Sequence, residues 1–139
     1  MTVAPAILLD TCAVIFIGNG TRIDDFADRE IGSAAAANRL FVSPMSAWEI
    51  GVGVAKGRLM LPAGPLEFFN RFMEQIGARL SSVTPEILVS SSNLPGNPHN
   101  DPMDRILMAS ARMLDLILVT RDRPILAYGR AGHVRTLAC

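Results

Sequence analysis

The stretch that decides the fold lies near the start of the chain, Ala6-Ile7-Leu8-Leu9-Asp10-Thr11-Cys12. A short apolar run that stops at a carboxylate reads as a buried parallel strand delivering Asp10 to the carboxyl edge of a sheet. In open α/β sheets that edge is where ligands bind. Asp10 is then a metal ligand if other acids reach the same edge, and a helix cap if none do.

The pattern recurs at Leu116-Ile117-Leu118-Val119-Thr120, the clearest strand in the sequence, which ends at Arg121-Asp122. Residues 40–43 form another short apolar run, closed by Pro44, and 79–83 and 133–137 are weaker strand candidates. Helical stretches separate them. Residues 11–17 open behind Asp10 or Thr11 as cap, and Gly18-Asn19-Gly20 ends them. Residues 24–37 are alanine-rich after Asp24, Asp25 and Asp28, which read as capping or solvated acids. Residues 45–56 carry Trp48, Val52 and Ala55 on one side, with Ser46 and Glu49 at the spacing of a capping box. The helix from Pro65 has an aromatic stripe, Phe68, Phe69 and Phe72, that reads as core because a base-stacking platform needs exposed rings. Short helices are expected at 84–90 and 124–128, and a longer one from Pro102 to about 114, where small residues supply a packing face. Strands alternating with helices indicate an α/β fold, a parallel, doubly wound sheet of about five strands with helices on both faces.

A chain of 139 residues fits a single domain with one real core, and 50% hydrophobic composition excludes a disordered chain. No apolar run reaches the ~18–20 residues of a membrane span, and no signal peptide precedes the first strand, so a cytoplasmic protein is expected. Cys12 and Cys139 lack metal-type spacing and are expected to be reduced thiols. Zero net charge argues against gripping nucleic acid by a bulk positive field. The cations are nevertheless lopsided: Lys56 is the only lysine, and arginine makes bidentate phosphate contacts that lysine does not.

In a parallel sheet the strand ends and the starts of the following helices share one edge. Asp10 and Asp122 follow strands, while Glu49 and Asp104 lie one turn into helices, so four carboxylates from remote segments gather there. Crowded carboxylates repel and raise one another's pKa unless a cation neutralises them. Oxygen-only ligands favour a hard ion, Mg²⁺ or Mn²⁺, which suits phosphodiester hydrolysis. Arg105 and Arg121 are candidate phosphate contacts.

Four stretches together resemble the PIN-domain ribonucleases, and more closely the VapC toxins of bacterial toxin–antitoxin pairs. They are Leu8-Leu9-Asp10-Thr11; Ser43 to Ile50 with Lys56-Gly57-Arg58-Leu59; His99 to Arg105; and Val119-Thr120-Arg121-Asp122. The resemblance spans nearly the whole chain and implies one PIN domain over 1–139. It implies an Mg²⁺- or Mn²⁺-dependent endoribonuclease, a homodimer, and a cognate antitoxin that inserts a C-terminal segment into the acidic groove. It places the catalytic acids at Asp10, Glu49, Asp104 and Asp122, with Asp10, Asp104 and Asp122 on the metal and the hydroxyls of Thr11, Thr120 and Ser43 in support. Asp101 also matches the motif, but before Pro102 it reads as a helix cap. Cys12 stands where many relatives carry histidine, and Arg121 where asparagine is common. RNA specificity is expected in the loops at 18–22 and 94–100.

Two other classes compete. A haloacid-dehalogenase-like phosphatase also uses an aspartate after its first strand, but it wants a second acid two residues on, where this chain has Cys12. A PIN-fold binding module would keep the acids without turnover.

Overall fold

In a computed structural model, which describes residues 3–96, 98 and 100–139, five parallel strands form one sheet in the order β3-β2-β1-β4-β5. The strands are β1 (Ile7–Leu9), β2 (Leu40–Val42), β3 (Arg79–Leu80), β4 (Ile117–Thr120) and β5 (Thr136–Ala138). The helices among the described residues are α1 (Thr11–Gly18), α2 (Asp25–Ala36), α3 (Pro44–Ala55), α4 (Pro65–Ile76), α5 (Pro85–Ser91), α6 (Pro102–Leu114) and α7 (Arg123–Arg130).

The opening strand is the centre of the sheet, and its three residues explain the layering. Successive side chains on a strand point to opposite faces. Ile7 and Leu9 join the core formed with α1 to α4, while Leu8 joins the core formed with α5 to α7. All three are fully buried, as a strand covered on both faces requires. The aromatic stripe of α4 is core, with Phe68, Phe69 and Phe72 buried against the first face.

β1 registers with β2 on one side and β4 on the other, Leu9 lying opposite both Val42 and Val119. The chain winds outward through β2 and β3, then crosses back to β4 on the far side of β1. This reversal places a topological switch point between β1 and β4, where a crevice opens at the carboxyl ends.

Some local expectations change. The helix after β2 is capped by Ser43, whose side chain accepts from the Met45 amide at 3.1 Å, with Pro44 following it. Ser46 is therefore inside the helix, and the Ser46–Glu49 capping box does not form. Trp48 is 57% exposed, and α3 instead buries Ser46 and Ile50. The helix is apolar nearly all round, so hydrophobicity alone did not fix its inner face. β5 begins three residues later than expected, because Gly132 adopts a positive φ of 89° and the chain is still turning. β3 keeps only two residues.

Candidate active site

Asp10 follows β1 directly, 3% exposed, with its backbone amide still bonded to the Val119 carbonyl of β4. Its carboxylate is held from two sides. Oδ1 accepts the Ala13 amide at 2.7 Å, which makes Asp10 the cap of α1, and Oδ2 accepts the Thr120 hydroxyl at 2.5 Å. The same Thr120 oxygen accepts the Asp122 amide at 3.0 Å. Thr120 thus ties the end of β1 to the end of β4 across the switch point. Asp122 caps α7 through the Ile125 amide at 2.9 Å. Capping and site membership are not alternatives here: a helix cap sits where strand ends meet helix starts, so the same position serves both.

Glu49 comes from the second turn of α3. Thr11, the first residue of α1, donates its hydroxyl to Glu49 Oε1 at 2.5 Å. The Ser46 hydroxyl lies 2.9 Å from that of Thr11. Since the Thr11 proton goes to Glu49, Ser46 is the donor of this second bond. Ser46 escaped the sequence reading as a site residue, although three-residue spacing puts it on the same helix face as Glu49. Ser43, expected to support the acids, is buried and caps α3.

At the start of α6, Asp101 accepts the amides of Met103 and Asp104 at 2.9 and 3.1 Å, the expected cap, and Asp104 lies half-buried in the first turn. Arg105 donates from Nε to the Ser91 carbonyl at 2.8 Å and so braces α6 against α5. Arg121 lies over the Phe16 ring, 4.4 Å from its centroid, and donates to the Arg22 carbonyl at 3.0 Å. That contact fastens the 18–22 loop to the end of β4. Of the 94–100 loop, Asn97 and His99 lie outside the described residues.

Electrostatics link the acids. Burial pushes the Asp10 carboxyl above its ordinary value, and the Asp122 charge adds to the rise while Thr120 and Ala13 oppose it. Burial likewise raises Glu49, with Asp101 and Asp10 adding and Thr11 opposing. Cys12 reports on the whole group: burial drives its thiol up to about 11, together with the charges of Asp10, Glu49, Asp104 and Asp122. The charges of all four acids named from the sequence thus reach the Cys12 thiol. Among the described residues, the ion pairs found do not involve Asp10, Glu49 or Asp122. Such a set of crowded oxygen donors suits a hard divalent ion. No three acid, histidine or cysteine side chains among the described residues already stand as a ligand group.

A family model for the PIN domain matches residues 7–130. The chain belongs to the PIN domain family. That membership sets aside the haloacid-dehalogenase-like reading and agrees with the parallel five-stranded sheet. No curated protein sequence matches the chain. Among solved structures, this PIN domain is similar to VapBC2 from Rickettsia felis bound to a DNA fragment from their promoter, at 14% identity and a TM-score of 0.67, over 95% of this chain and 98% of that one. DNA-bound VapBC from Salmonella typhimurium gives 17% identity and 0.68, over 96% and 98%. A toxin–antitoxin complex from Klebsiella pneumoniae gives 19% and 0.56, over 86% and 89%. No helix among the described residues is long and apolar enough to cross a membrane.

Proposed function

We propose that this PIN domain is a cytoplasmic endoribonuclease dependent on Mg²⁺ or Mn²⁺, acting as the toxin of a toxin–antitoxin pair. The observation that carries the reading is a PIN fold in which Asp10, Glu49, Asp104 and Asp122 all act electrostatically on Cys12, beside the switch point. Asp10, Asp104 and Asp122 would hold the ion. When bound, it would acidify water and neutralise charge on the transferring phosphorus.

The chain's own residues do the rest. Thr120 fixes the Asp10 carboxylate through Oδ2, and the α1 amide fixes it through Oδ1. Thr11 holds Glu49 at Oε1, leaving Oε2 to take the proton of the attacking water. A carboxylate with a raised pKa is a stronger base than an ordinary one, which favours that transfer. The VapBC and toxin–antitoxin complexes among similar folds support an antitoxin as partner, and a homodimer as the working form belongs to the same proposal.

The test is RNA cleavage and growth arrest by Asp10→Asn, a change that keeps an acceptor for the Ala13 amide. Loss of both with no loss of melting temperature is the expected result. Full activity in this variant would sink the metal reading. If neither Mg²⁺ nor Mn²⁺ raises the wild-type melting temperature or supports cleavage, the chain is a binding module instead.

A further inference from the structure

The opposite edge of the sheet carries the reverse charge. Two open clefts, of about 720 and 540 Å³, run along the amino ends of the strands and meet at Asp115 and Leu116. Arg112, Arg130 and Arg135 line the first, and Arg39 and Arg79 line the second. All five are exposed, and Asp115 is the only acid lining either cleft. This edge is thus as rich in arginine as the carboxyl edge is in acids.

Helix polarity explains part of this. Arg112 and Arg130 stand in the last turns of α6 and α7, where a cation suits the negative end of the dipole. It does not explain the others. Arg39 and Arg135 directly precede β2 and β5, and Arg79 opens β3. Nor is the edge neutralised from within: of these five arginines, among the ion pairs of the described residues, Arg135 is paired with Asp115 at 2.7 Å, and Arg39, Arg79 and Arg130 are in none. Arg79 lies over the Phe41 ring, 5.8 Å from its centroid, so the second cleft joins a guanidinium to an aromatic. Ser81 lines this cleft too, and its buried hydroxyl has no hydrogen-bond partner among the described residues. Arg112 donates to the His133 carbonyl and Arg135 is paired, but three guanidinium groups outside any ion pair in an open groove match the charge of a polyanion, and arginine is suited to phosphate oxygens in particular.

We propose that this arginine-lined groove is a second RNA-binding surface, which holds the phosphodiester backbone away from the acidic edge. It rests on the reading of RNA as substrate. The groove would favour long RNA over short fragments without touching the chemistry.

The test is binding of a labelled thirty-nucleotide single-stranded RNA with divalent ions chelated, so that affinity is read without cleavage. For Arg39→Gln, Arg79→Gln and Arg130→Gln combined, loss of three phosphate contacts predicts about hundredfold weaker binding near 0.1 M salt and a salt slope shallower by about two units. Cleavage of a tetranucleotide should stay at the wild-type rate. If the triple variant melts early, Arg130→Gln alone should weaken binding about fivefold. Wild-type affinity and slope in these variants would overturn the proposal, as would an equal loss on the tetranucleotide. Unchanged RNA binding with lost binding to polyglutamate would make the occupant an acidic protein and refute it as well. Groove-dependent binding by a protein that cleaves nothing with Mg²⁺ or Mn²⁺ would leave the groove standing and remove the nuclease reading.

Discussion

The two halves of the acidic edge are built differently. The half at β1 and β4 is closed: Asp10 is buried, both its oxygens are engaged, and Thr120 locks it to the backbone of Asp122. The half at α3 and α6 is looser. Glu49 and Asp104 are half-buried on helices, and Glu49 is steered by a hydroxyl pair, Thr11 and Ser46. Strand ends are fixed by the sheet ladder, so the first half is rigid before any ligand arrives. Helix side chains reach the edge through rotatable bonds, so the second half is the one that adjusts. Since no ligand triad stands ready among the described residues, closing the site on an ion is expected to draw on that adjustable half.

This contrast can be broken by mutation. Glu49→Gln removes the proton acceptor but keeps an oxygen for Thr11, and it should lower the cleavage rate by about 10²-fold with no loss of melting temperature. A large drop in stability would mean Glu49 is structural and the two halves are alike. Thr120→Val should act on both properties, cutting activity by about 10-fold and costing about 1–3 kcal/mol in a denaturant titration, because a buried carboxylate oxygen and the Asp122 amide each lose a partner. Equal stability costs from Thr120→Val and Thr11→Val would erase the distinction.

The smallest effect is in the pH dependence without divalent ions. Folding raises the pKa of Asp10 and of Glu49, so charging them opposes the fold. Their contribution to stability is least favourable above the raised values and improves as pH falls through them, levelling off below the ordinary 3.8 and 4.5. A double variant, Asp10→Asn with Glu49→Gln, should therefore melt above the wild type at neutral pH, and the gap should close on acidification. A gap that widens toward acid would reverse the sign and remove the crowding argument.

Much of the site was legible because its signals are local. An apolar run ending in a carboxylate marked Asp10 and Asp122, and the Asp101-Pro102 pair marked the start of α6. What failed was face and register on short or uniformly apolar elements. Ser46 and Glu49 had the spacing of a capping box, yet Ser43 and Pro44 start the helix one turn earlier, and Glu49 turns to Thr11. The side of α3 that carries Trp48 faces out, and Ile50 is buried instead.

Residue order was enough for a parallel α/β chain and for the expectation of acids at its carboxyl edge. Hydrophobic period and strand-to-helix order are carried by neighbouring residues, so they survive without coordinates. Tertiary structure alone decided which hydroxyl holds which acid. Thr120 meets Asp10 only because β4 lies beside β1, and Thr11 meets Glu49 only because α1 packs near α3. It alone gathered Arg39, Arg79, Arg112, Arg130 and Arg135 along two adjoining clefts, since their spacing along the chain shows no pattern until the strands are set side by side.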